Sequence, residues 1–202
     1  HSSGGWSSLW LQLNHPEFFG GCFSSAPDPV DFTAFGTVDL TSDQTLFTDA
    51  DGLLQPSYRA PLTEAQDHVM MTIEEEIAME RALAPDFTSG EQWGAWNAMF
   101  SGRDSSNGLP LAAFDLENGV IDRTVIDRDW SRYDIARLVR EDPDLHGPVL
   151  RDRVRLICGD ADSYYLNRAV ERLSEISAAA RAGLENPDGP GYVELVPGAT
   201  HG

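Results

Sequence analysis

Trp6, Leu9, Trp10 and Leu13 recur at helical spacing behind two glycines, and Asn14-His15-Pro16 follows them. The pattern predicts a helix over residues 2–14 with one apolar face. Phe18 to Ser25 is apolar without helical period and reads as a buried strand, stopped by Pro27-Asp28-Pro29. Residues 30–60 are less regular; Asp49-Ala50-Asp51-Gly52 predicts a turn within a hairpin. A helix is expected from about Thr63 to Leu83, with Thr63 or Leu62 near its cap and Pro85 beyond its end. Val69, Met70, Ile73, Ile77 and Met79 form its apolar side, Glu74-Glu75-Glu76 its acidic one. A short helix over 91–100 would carry Trp93, Trp96 and Phe100. Leu111–Phe114 and Val120-Ile121 flank Glu117-Asn118-Gly119 as a hairpin or tight turn, and 125–141 reads as a helix with Trp130, Tyr133, Ile135 and Leu138 on its apolar side.

Alternation is clearest toward the C-terminus. Val154–Cys158 is a buried strand, Gly159–Ser163 a loop, and Tyr164–Ala182 a helix closed by Gly183. Asn186–Gly191 is a turn, Tyr192–Val196 a strand and Pro197–Gly202 a loop. Strand, helix and strand with such short connections imply a parallel pair and an α/β fold. No internal repeat is evident.

Composition narrows the partners. The net charge is −19, and the 14 basic residues are all arginine. Such a surface repels phosphate backbones and anionic membranes, so neither nucleic acid nor membrane is an expected partner. No apolar run approaches the roughly 20 residues of a membrane helix, and His1-Ser2-Ser3-Gly4-Gly5 is not a signal peptide. A soluble acidic protein is expected, with secretion or a periplasmic location left open. A salt-rich habitat or a GC-rich genome would suit the composition. Cys22 and Cys158 lie in apolar runs and are expected to be buried thiols; a disulfide stays open, and neither has metal-ligand spacing with a histidine.

Three loops carry chemistry. His1-Ser2-Ser3-Gly4-Gly5 matches a nucleophile elbow, G-x-S-x-G, if Ser2 is the nucleophile and a glycine precedes His1; Ser3 would need glycine where His1 stands. The alternative is a plain Ser/Gly-rich segment. Gly159-Asp160-Ala161-Asp162 follows a strand, where triad acids sit in open α/β sheets, although Asp162 or Ser163 could equally cap the next helix. His201 lies in a glycine-flanked loop after the last strand, a place for a general base or for a structural histidine. Serine, aspartate, histidine is the chain order of the α/β-hydrolase triad, and each member follows a strand at one edge of the sheet.

With these motifs in place, the runs His1–Trp6, His15–Gly20 and Ser25–Phe32 resemble the esterase family that includes enterochelin esterase, feruloyl esterases, esterase D and the mycolyltransferases. Gly159–Asp162 with Tyr164-Tyr165-Leu166, and Val196–Gly202, resemble its acid and histidine loops. The resemblance is weak over about 33–145, which it treats as an insertion of helices and hairpins. It implies the C-terminal part of an α/β-hydrolase fold, with Ser2 as nucleophile, Asp162 as acid and His201 as base. The family's G-x-x-D spacing selects Asp162 over Asp160, and Ser3 would give one oxyanion N–H. The chain would then start inside the elbow of a longer domain, with the earlier strands and the second oxyanion donor upstream, and residues 1–202 alone would be nearly inactive.

The expected reaction is hydrolysis of a small-molecule or carbohydrate ester without metal or cofactor. His1, Asp28, Trp130 and Tyr164 are candidate pocket residues, with Asp31 beside them. Rival readings are an acyltransferase of the same fold and a non-catalytic carbohydrate-binding module with a platform of Trp93, Trp96, Trp130, Tyr133 and Tyr164. Calcium at Asp49–Gly52 is excluded, since Phe47 and Tyr58 stand where an EF-hand loop needs ligands.

Overall fold

The computed structural model describes residues 1–60 and 68–202. In chain order its elements are α1 (Ser2–Asn14), β1 (Cys22–Ser25), β2 (Pro56–Arg59), β3 (Val69–Thr72), α2 (Ile73–Leu83), α3 (Gln92–Phe100) and α4 (Arg123–Val125). They continue with α5 (Ile135–Glu141), α6 (Pro143–Arg153), β4 (Val154–Gly159), α7 (Asn167–Ala182) and β5 (Tyr192–Val196). Among the described residues the strands form a three-stranded sheet, ordered β1-β4-β5, and an antiparallel β2-β3 pair. Both pairings of the larger sheet are parallel, with Cys22 opposite Val154 and Arg155 opposite Tyr192. The α/β architecture expected from sequence is therefore present.

Period-two burial makes β4 a central strand: Val154, Leu156 and Cys158 are buried, while Ile157 points away and is exposed. α1 packs on β1 through Trp6, Leu9 and Leu13. Their approach is close because residue 5 is glycine: a Cβ there would meet Ser25 O at 3.0 Å and Pro27 Cα at 3.2 Å. α7 lays Ala169, Val170, Leu173 and Ala180 against the sheet and its neighbouring helices, the i, i+3/i+4 stripe of an amphipathic helix.

Several boundaries differ from expectation. The first strand starts at Cys22; Phe18 lies in a turn where the amides of Phe18 and Phe19 both donate to His15 O, and its ring is exposed. The start of the expected 63–83 helix lies outside the described residues. Val69–Thr72, placed in that helix by their apolar spacing, form β3 against β2. The helix begins at Ile73 because Thr72 and Glu75 form a capping box, worth about 1 kcal/mol. The 125–141 helix is broken: α4 runs into a π turn (Ile126–Trp130) and a 3-10 turn (Ser131–Tyr133), and α5 restarts where Asp134 accepts from Arg137 N. α7 starts three residues late because Tyr165 is left-handed (φ +61°) and the amides of Tyr164 and Leu166 turn to Asp162. α6 was not anticipated, although Asp142-Pro143, with Asp142 accepting from Leu145 N, is an ordinary start signal. The hairpins at 49–52 and 114–121 appear as expected, with Thr48 bridging Leu54 and Phe114 bridging Ile121.

The described residues of 33–145 share one hydrophobic core with the sheet. Trp130 is wholly buried against Phe32, Phe35 and Phe100, and its Nε1 donates to Ser101 Oγ at 2.8 Å. It is a core residue rather than a pocket residue, which corrects the expectation from sequence.

Candidate active site

The three chemical loops meet at the C-terminal edge of the parallel sheet. Ser2 bridges Pro27, just beyond the end of β1. Asp162 follows β4 and His201 follows β5. Ser2 opens α1 with φ +52°, a conformation L-residues avoid and a sharp elbow requires.

His201 Nδ1 lies 2.8 Å from Asp162 Oδ2. A carboxylate oxygen only accepts, so Nδ1 carries the hydrogen of this bond. Asp162 is fully buried, and its Oδ1 accepts from Tyr164 N at 2.9 Å and Leu166 N at 3.3 Å. Cys158 Sγ stands 3.7 Å from Oδ2. Burial, with the Asp162 charge beside it, pushes the Cys158 thiol far up, so it stays protonated and donates. The His201 ring is walled by Tyr164, edge-on at 4.8 Å, and by His1 at 4.6 Å.

Two glycine-permitted contacts lock the acid and histidine loops together. Asp160 N donates to Val196 O, and Ala161 N to Ala199 O. Asp160, the alternative acid, has another job: its Oδ1 accepts from Gly198 N at 2.7 Å and pins the turn before His201.

Ser2 and His201 line one cavity of about 320 Å³ with Asp28, Phe35, Trp93 and Trp96. Among the described residues no hydrogen bond joins Ser2 to His201. The Ser2 hydroxyl donates instead to Asp28 Oδ1 at 3.3 Å. The same carboxylate, nearly buried, accepts from Ser3 Oγ (2.7 Å), Trp96 Nε1 (2.8 Å) and Gln92 Nε2 (3.5 Å). Asp28 thus ties α3 to the elbow. Glu80 of α2 steadies α3 in turn, accepting from the amides of Trp93 and Gly94 at 2.7 and 2.9 Å, and burial pushes its carboxyl up. These bonds satisfy the first amides of α3, which its own N-cap Glu91 does not.

Of the pocket residues expected from sequence, Asp28 and Tyr164 line the cavity, beside the catalytic candidates Ser2 and His201. His1 lies across the His201 ring, its Nδ1 3.4 Å from Ser25 Oγ, and lines a smaller cavity of about 220 Å³. Asp31 is not at the pocket. It is fully buried, bonded to Thr33 and paired with Arg140 at 3.2 Å. Trp130 is core and Trp93 is buried from the surface, so no exposed aromatic platform forms; Trp93, Trp96 and Tyr164 instead line the cavity.

Sequence reasoning missed two contributors. Arg59, at the end of β2, is buried and donates from Nε to Asp162 O at 2.8 Å and from Nη2 to Asn167 Oδ1 at 3.2 Å, with its guanidinium over the Tyr165 ring. Glu76 of α2 accepts from Trp93 Nε1 at 2.8 Å and from Ser57 Oγ. Neither stands in a motif. The three consecutive glutamates hid the inward one, because the helical frame depends on where α2 starts. Among the described residues no group of three or more His, Cys, Asp or Glu could hold a metal ion, and no helix is long and apolar enough to cross a membrane.

Neither a protein-family model nor a curated protein matches the sequence.

Proposed function

We propose that the protein is a serine hydrolase of the α/β-hydrolase type that cleaves carboxylic esters through an acyl-enzyme on Ser2. The reading rests chiefly on one observation: the His201–Asp162 hydrogen bond of 2.8 Å sits on the wall of the cavity into which a left-handed Ser2 opens. That a serine, an aspartate and a histidine far apart in sequence lie around one cavity edge supports a triad reading.

In this mechanism the Ser2 hydroxyl leaves Asp28 for His201 Nε2 as an ester carbonyl arrives, and His201 takes its proton while Oγ attacks. Asp162 keeps Nδ1 protonated and stabilises the imidazolium. The Ser3 N–H, at the open end of α1, meets the developing oxyanion; losing one such donor typically costs about 10²–10³ in rate. Water then hydrolyses the acyl-enzyme with His201 as base.

The test is labelling of the protein with a fluorophosphonate. Adduct on the Ser2 peptide, absent in Ser2→Ala, supports the reading. A folded protein that takes no label at Ser2 overturns it.

A further inference from the structure

The cavity beside Ser2 has a chemical bias. Carboxylates of Asp28, Glu76 and Glu91 line it, and among the described residues no lysine or arginine does. Aromatic rings form part of its apolar wall, beside Ile73 and Leu166: Trp93 and Trp96 meet edge-on at 5.1 Å, and Phe35 meets Trp96 edge-on at 4.7 Å. Glu76 projects one carboxylate oxygen onto Trp93 Nε1 and Ser57, while its Oε1 accepts no hydrogen bond from a described residue. Asp28, by contrast, is fully engaged by Ser2, Ser3, Trp96 and Gln92. The open acceptor therefore stands beside the aromatic walls, within the cavity that holds the nucleophile.

Aromatic faces and an unspent carboxylate recognise the same kind of group, an organic cation, by cation–π attraction and by direct charge pairing. An anionic group would meet only like charge there. The overall charge of −19 adds a long-range field that draws cations and repels anions.

We infer that the cavity selects esters whose buried part carries an organic ammonium group, seated against Trp93 and Trp96 and facing Glu76. This deepens the serine-esterase reading and rests on it for the reaction, but not for the binding. In the reaction the Ser2 Oγ–acyl bond forms as the bond between acyl carbon and alcohol oxygen breaks. His201 passes the serine proton to the departing alcohol; water then restores Ser2 and releases the acid. The ammonium keeps its charge throughout.

The test compares choline with its uncharged isostere, 3,3-dimethylbutan-1-ol, by isothermal titration calorimetry on the full-length Ser2→Ala protein. Choline should bind about tenfold tighter, the size of a desolvated cation–π contact. That margin should shrink at high salt and in Glu76→Gln with unchanged circular dichroism, the cation–π share remaining. Equal or tighter binding of the neutral alcohol, or no binding of choline, overturns the inference. A second arm measures kcat/KM for a choline ester against its 3,3-dimethylbutyl counterpart on the unmodified protein. Equal turnover of both, without preference, sinks the inference and leaves the esterase standing. Choline binding without hydrolysis of either ester and without fluorophosphonate label keeps the site and sinks the esterase.

Discussion

The carbonyl oxygen of Ala199 occupies the space a side chain on Gly159 would need: a Cβ at position 159 would meet it at 2.0 Å, and Thr200 O at 2.7 Å. Both obstacles are backbone of the loop that carries His201, so neither can swing aside as a flexible side chain would. The missing methyl at the end of β4 is what lets the acid loop and the histidine loop touch.

Gly159→Ala should therefore separate His201 from Asp162. We expect a stability loss of about 1–3 kcal/mol, as for other overpacked sites. Fluorophosphonate labelling of Ser2 should fall much further than stability does. Urea denaturation and the labelling rate, measured together, check this. A variant that labels at the normal rate would show that the two loops need not touch.

Asp162→Asn keeps an oxygen for the amides of Tyr164 and Leu166 but removes the charge behind the imidazole. kcat on a p-nitrophenyl ester should drop by about 10⁴, with little change in KM. A loss of less than about tenfold would mean that Asp162 is only a cap for the turn before α7.

Asp134 offers a pH test away from the site. Burial, with Asp31 adding repulsion against the opposing pull of its hydrogen bond from Arg137 N and of Arg140, pushes its carboxyl from 3.8 up to about 6. The folded state then binds this proton more tightly than the unfolded state. The associated stability is full below about pH 4 and is lost as pH rises through about 6. Asp134→Asn, which still caps α5, should gain relative to the unmodified protein by on the order of 2 kcal/mol between pH 4 and pH 7. Urea midpoints at the two pH values measure it; a penalty independent of pH would rule out the shifted carboxyl.

The two tryptophans near the pocket should separate cleanly. Trp130→Phe removes a buried N–H bond and some core volume, costing about 1–3 kcal/mol in stability without moving KM. Trp96→Ala removes a cavity wall and a donor to Asp28, and should raise KM about tenfold. Steady-state kinetics beside thermal melts would expose the opposite pattern.

How far these features could be read from the residues depended on the range of the forces involved. Asp162 and His201 stand at strand ends marked by local pattern, Ser2 stands in a Ser/Gly-rich helix start, and the β4–α7–β5 unit follows from alternation and short connections. Val69–Thr72 looked helical because only their pairing with Pro56–Arg59 makes them a strand, and that contact is non-local. Trp130 carried the same apolar signature as Trp96. Only the packing of Phe32, Phe35 and Phe100 around it decides that one is core and the other wall. Arg59 reaches the acid loop across about a hundred residues, and no short-range pattern announces such a partner.

The left-handed backbone at Ser2 has a cost that belongs to the chain as a material. Glycine would adopt φ +52° freely, whereas a residue with a Cβ gives up on the order of 1 kcal/mol there. Under selection for resilience alone, position 2 would drift to glycine and the hydroxyl would disappear. Thermal robustness and the proposed reactivity thus pull against each other at a single torsion angle, and a library sorted by melting temperature would discard the hydroxyl that the proposed chemistry requires.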